Sequence, residues 1–173
     1  MLFLVGAGEL PEAQMRAVTI ALSRYWNNEF RKISCEQSPN EEISLLNQKD
    51  GLFQLEGDAA SANHEGGCWL ESLGTWKIPT ILMVLSSSDG SVPGIASAYV
   101  ALCKSLSVPL IGIVQLGGYW DRKRRSLDGL PWCGKLSIHL SENQFSSFDE
   151  SSQLIEIEDI VSNIRKKMID LNL

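Results

Sequence analysis

Ser86, Ser87, Ser88, Asp89 and Gly90 stand together as a run of hydroxyls, a carboxylate and a glycine, directly after the apolar run Thr80–Leu85. Such a loop offers side-chain oxygens and backbone N–H groups to a polar or anionic ligand, and a solvated turn uses the same residue types. Gly6 and Gly8 flank Ala7 after Leu2–Val5. A Gly-x-Gly at a strand end lets a ligand approach the backbone, but a plain strand-to-helix turn is the preferred reading. His64 shares a long loop, 56–67, with Asp58 and Asn63. Its unperturbed pKa near neutrality suits acid–base work, with an exposed loop histidine as the alternative; His139 is a weaker candidate. Tyr119 and Trp120 could stack on a planar ligand or pack at the sheet edge beside Trp132, and packing is the preferred reading. The basic run Arg122–Arg125 could meet phosphates, but a run of this kind reads first as a solvated loop.

The elements that must position these residues follow from hydrophobic pattern. Leu2–Val5, Leu52–Leu55, Thr80–Leu85 and Leu110–Leu116 are short apolar runs that predict buried strands, and Phe30–Cys35 is a weaker, alternating one. Between them, Ala13–Trp26 carries Met15, Val18, Leu22 and Trp26 on one helical face, Glu41–Gln48 is a short helix, and Cys68–Trp76 and Ile95–Ser107 are helical in pattern. Ile157–Leu171 closes the chain as an amphipathic helix bearing Ile160, Ile164 and Met168. Ser126–Ser137 reads as turn-rich and 141–152 as a polar surface loop. The order is β-α-β-α-β-α-β-α-β, an irregular polar segment of about 117–153, then α, within one domain of residues 1–173. Strict alternation predicts an α/β fold: a parallel sheet of about five strands between helical layers, joined by right-handed crossovers. Ligands of such sheets bind beyond the carboxyl ends of the strands. Gly6–Pro11, Glu56–Asp58 and Ser86–Gly90 are therefore expected to share one crevice.

Composition narrows the classes. A formal net charge of −6 argues against a dedicated nucleic-acid binder. No apolar run approaches the roughly 18 residues of a membrane helix, and Met1–Leu10 lacks the basic start of a signal peptide. The expectation is a cytoplasmic protein with a small-molecule ligand, free of membrane contact, for which a homodimer stays open. Cys35, Cys68, Cys103 and Cys133 are widely spaced without a CxxC pair and read as reduced, structural thiols.

The stretch Leu52–Gly118 resembles the second half of dethiobiotin synthetase, an ATP-dependent enzyme of the P-loop class. Glu56-Gly57 ends the third strand where that family has Glu-Gly-Ala-Gly-Gly. Ile78-Pro79 leads into the next apolar strand, its loop and its helix, and Val108-Pro109 into the strand after that. The resemblance implies a three-layer, P-loop NTPase-like sandwich, ATP and Mg²⁺ as cofactors, and ring closure of a cyclic urea from a diamino acid and CO₂. It implies cofactor contacts from Gly6, Gly8, Glu56, Gly57, Asp58, Ser86, Ser87, Ser88, Asp89 and Gly90, with Glu56 near a metal–phosphate group. In the first half the chain departs from the family. Gly6–Gln14 contains neither lysine nor hydroxyl, and Glu12, Ala13 and Gln14 stand where Gly-Lys-Ser/Thr would hold phosphate and Mg²⁺. Asp58-Ala59-Ala60 likewise replaces the family's later glycines. Two readings follow: a divergent ring-closing ligase, or a relative that has lost catalysis and binds a metabolite or a partner. The chain also resembles the flavodoxin-like proteins in its alternation and in Asp50-Gly51 before the third strand, which implies an FMN-binding oxidoreductase.

Overall fold

The computed structural model describes residues 1–26, 30–46, 49–64, 66–137 and 150–171. Six strands form one sheet: β1 (Leu2–Gly6), β2 (Phe30–Ser34), β3 (Leu52–Glu56), β4 (Thr80–Leu85), β5 (Leu110–Leu116) and β6 (Trp132–Leu136). Every neighbouring pair is parallel, in the order β2-β3-β1-β4-β5-β6. The order differs from the flavodoxin order 2-1-3-4-5 and from the dinucleotide-binding order 3-2-1-4-5-6. The helices are α1 (Glu12–Trp26), α2 (Pro39–Leu46), α3 (Trp69–Thr75), α4 (Ile95–Ser105), α5 (Arg122–Leu127) and α6 (Glu150–Asp170).

Strand alternation sends successive side chains to opposite faces, and each face has its own core. Leu2, Leu4, Leu52, Ile81 and Met83 pack under α1 and α6, against Met15, Val18, Leu22, Ile160 and Ile164. Phe3, Val5, Phe53, Leu82 and Val84 pack under α2, α3 and α4, against Ile43, Trp69, Leu73 and Cys103. Phe3 stacks on Phe53 at 5.3 Å between ring centroids, and Trp69 leans on Phe3 at 6.0 Å. The central strands are buried on both sides, which is why they read as unbroken apolar runs. The result is a three-layer α/β sandwich. No helix among the described residues is long and apolar enough to cross a membrane.

The expected irregular segment 117–153 is in part regular, a correction to the sequence reading. It holds α5 and the sixth strand, and α6 begins at Glu150 rather than at Ile157. Residues 132–136 escape pattern reading because Gly134 interrupts them and Pro131 precedes them, both unfavourable in strands. Tertiary contacts supply what propensity lacks: β6 pairs with β5 and lies under α6, where a Cβ at Gly134 would meet Ile160 Cγ1 at 2.8 Å. Asn163 Nδ2 donates to Cys133 O at 2.9 Å, and Lys167 Nζ donates to Trp132 O at 2.9 Å. These side chains occupy carbonyls of an edge strand that would otherwise invite a further strand. The expected loop at 141–149 and His139 lie outside the described residues, as do Gln48 and the Trp26 side chain.

One close backbone approach fixes how α3 meets α4. A Cβ on buried Gly74 would stand 2.1 Å from Leu106 O. Gly74→Ala is therefore expected to destabilise the protein by about 1–3 kcal/mol, although alanine is the better helix former. Urea denaturation of the two proteins reads this directly.

Candidate functional site

A right-handed crossover puts α1 on one face, while the helices after β3 and β4 lie on the other. The chain therefore leaves β1 toward one face and leaves its neighbours β3 and β4 toward the opposite face. Strand ends that diverge in this way open a crevice at the carboxyl edge. A cavity of about 440 Å³ lies there, lined by Glu9, Leu10, Pro11, Glu12, Glu56 and Gly57. Depressions of similar size lie on α5 and between β6 and α6. Only the first stands at the divergence of β1 and β3.

The floor of this crevice is an ion clamp. Lys32, on the edge strand β2, lies beside Gln54 in the register, and its ammonium reaches toward the strand ends. Its Nζ stands 2.6 Å from Glu56 Oε1 and donates as well to Glu12 in the first turn of α1. The Lys32 hydrogen bond, followed by its charge, holds the Glu12 carboxyl below the usual range. Hydrogen bonds to Glu12 and then to Glu56 raise Lys32 above its ordinary value. Three carboxylates, Glu9, Glu12 and Glu56, thus share the crevice with one ammonium that is already engaged.

The expected site residues divide between different places. Glu56 and Gly57 line the crevice, with Gly57 exposed at φ +103°. Gly6 and Gly8 are buried and serve the turn: a Cβ at Gly6 would meet Gly8 O at 2.7 Å, and one at Gly8 would meet Ile95 Cδ1 at 2.8 Å. Asp58 turns to the other layer, where Oδ1 accepts from Ala60 N at 2.9 Å and from the Tyr99 hydroxyl. Burial and then Asp58 push the Tyr99 phenol well above its ordinary pKa. In the same region the Cys35 thiol is pushed up to about 12, first by burial, so it stays neutral. Asn63 Oδ1 accepts from Gly67 N at 3.1 Å and closes the loop on which His64 is exposed.

Ser86–Gly90 reaches the same sheet end, and the lining of this cavity does not include it. Several of its polar groups are engaged by the loop itself and by the loop after β5, while Ser87, Ser88 and Asp89 are exposed. Ser87 N donates to Ser91 O at 2.9 Å, Gly90 N to Ser87 O at 2.9 Å, and Tyr119 N to Ser88 O at 3.1 Å. Asp89 Oδ1 accepts from Ser91 N at 2.9 Å and from Ser91 Oγ at 2.8 Å, which lowers its pKa. Ser86 Oγ donates to Gly117 O at 2.8 Å.

Gln115, which pattern reading passed over, and Arg125, which it read as part of a solvated loop, hold this half of the edge together. Gln115, fully buried in β5, directs Nε2 to Ser86 Oγ, Gly117 O and Tyr119 O at 3.0–3.1 Å. Its Oε1 accepts from Arg125 Nε at 3.0 Å, and a second Arg125 nitrogen donates to Gly90 O. Arg125 also lies 4.5 Å from the Trp132 ring centroid, and Trp120 meets Trp132 edge-on at 5.9 Å. The run Arg122–Arg125 is thus not wholly solvated, since Arg125 is 8% exposed. The signals were present in the sequence: a lone glutamine inside an apolar strand, and an arginine between Asp121 and Asp128 at helical spacing. Lys32 was legible only as a cation near a strand end.

Among the described residues no three His, Cys, Asp or Glu side chains converge as a metal site would require. No protein-family model matches the chain, and no curated protein matches it. Arg125→Met would strand Gln115 Oε1 and Gly90 O without donors. A loss of about 2–4 kcal/mol is expected, against roughly 0.5 kcal/mol or less for exposed Arg122→Met. Faster amide hydrogen exchange across 86–91 in the first variant alone would accompany it.

Proposed function

We propose that the protein is a relative of the dethiobiotin synthetase class that has given up the ATP-dependent step and holds a small metabolite in the crevice between β1 and β3. The observation that carries this reading is the Glu12–Lys32–Glu56 clamp at the divergence of those strands. The first turn of a helix after β1 is where phosphates would meet free N–H groups. Here that turn bears Glu12, and Gln14 N and Met15 N already donate to Pro11 O at 3.0 and 3.2 Å. The nearby lysine is neutralised by two carboxylates instead of free to meet a phosphate. A triphosphate with Mg²⁺ does not fit residues of this charge, and no ring-closing step is assigned to them. The flavodoxin-like alternative, with FMN, finds no support in the strand order.

Calorimetry with Mg-ATP is expected to give no saturable binding, and binding in the micromolar range would restore the ligase reading. A thermal-shift screen of a metabolite set locates the site. Ligands that raise Tm in the parent should lose that effect in a Glu9→Trp variant, whose ring fills the crevice. Stabilisation that survives Glu9→Trp would place the site elsewhere.

A further inference from the structure

The open edge of the sheet at β6 carries a groove of about 500 Å³, set apart from the crevice between β1 and β3. Its flanks come from the two helical layers. On the α4 side, Trp132 packs toward that core and Arg125 of α5 lies over its ring, while Arg122 reaches the groove from the first turn of α5. On the other side, Cys133 packs under α6, whose Glu156, Asp159 and Asn163 repeat at three- and four-residue steps along one helix face. A cation therefore stands on one flank of the edge and carboxylates on the other.

Several polar groups of the groove are already engaged. Lys135 Nζ stands 3.5 Å from Glu156 Oε1, and Glu156 also accepts from Ser137 N and Oγ at 2.7 and 2.9 Å. Lys167 and Asn163 hold the Trp132 and Cys133 carbonyls, so a further strand finds those acceptors taken. Arg122 and Asp159 differ: both side chains are exposed and form no hydrogen bond or ion pair among the described residues. Beside them lie the half-buried Trp120 and Trp132 rings, and Ile155, one turn before Asp159, is 60% exposed. Aromatic residues and arginine are the types enriched at protein–protein contacts.

We infer that this groove docks on the same groove of a second copy of the chain, about a two-fold axis running along β6, with Arg122 of each protomer on the partner's Asp159. Rotation about an axis parallel to an edge strand exchanges the two faces of the sheet. It sets α5 of one protomer against α6 of the other twice over, as an isologous contact requires. Opposite charges on the two flanks make the groove complementary to itself under this rotation. An axis perpendicular to the sheet would set like charges together instead. A small anion would face Glu156 and Asp159, and a small cation would face Arg122 and Lys135. The contact is independent of what the crevice between β1 and β3 holds.

Analytical ultracentrifugation at low salt, with protein up to about 100 µM, reads the association in the parent and in variants checked for folding by circular dichroism. The parent should form a reversible dimer. Arg122→Glu and Asp159→Arg each place like charges together twice in one dimer, and each should weaken association about tenfold or more. An equimolar mixture of the two variants should recover the dimer, because unlike charges then meet at both contacts. Lys104→Glu makes the same change of charge on α4 and should leave association within about twofold of the parent. A parent that stays monomeric up to about 100 µM would overturn the inference. So would a dimer indifferent to either swap, a loss that mixing does not recover, or an equal loss in Lys104→Glu.

Discussion

The carboxyl edge depends on the place of β1 between β3 and β4. Because β1 feeds α1 on one face while its neighbours feed helices on the other, no packing of a compact sheet can close the gap where these three strands end. Something polar must then satisfy the loop ends. On the β3 side the chain uses ionised side chains and leaves a crevice. On the β4 side it uses a neutral glutamine and a buried arginine.

The two halves therefore differ in what holds them. The right half is tied by Gln115 and Arg125 through hydrogen bonds that are almost wholly withdrawn from water, where each is strong and each loss is costly. The left half is tied by an exposed to half-exposed ion triad, where Coulombic gain is modest and salt screens it. A ligand site needs groups that can exchange partners at small cost. The Glu12–Lys32–Glu56 clamp has that property and the Gln115–Arg125 hub does not.

Much of the fold was legible because doubly buried strands and one-sided helices write simple patterns, as Thr80–Leu85 and Met15–Val18–Leu22 do. What escaped was whatever depends on a distant partner. Residues 132–136 become a strand only beside β5 and under α6, and the bounds of α6 lie earlier than its apolar stripe suggested. At the site, Glu56, Gly57 and Ser86–Gly90 were all placed at the right end of the sheet, but which of them would border a common cavity was not legible. Hydroxyls and glycines mark a loop that can bind, and nothing local tells which of its groups a neighbouring loop engages, as the loop after β5 engages Ser86 Oγ and Ser88 O. Beyond being a cation near a strand end, Lys32 had no local mark, since its partners lie 20 and 24 positions away along the chain.

Titration of the Glu12 carboxyl, followed by carbon-13 NMR, tests the clamp most directly. A carboxyl whose pKa is lowered on folding adds stability above its unfolded value, and that stability disappears as pH falls through the lowered one. The raised Lys32 value works at the other end: its contribution is full below 10.5 and disappears as pH rises through the raised value. Across neutral pH both are present. In the parent, Glu12 should titrate below the ordinary 4.5, and in Lys32→Met its midpoint should rise toward it. A parent midpoint at or above 4.5, or one indifferent to Lys32→Met, would contradict the clamp and with it the account of how this edge is held.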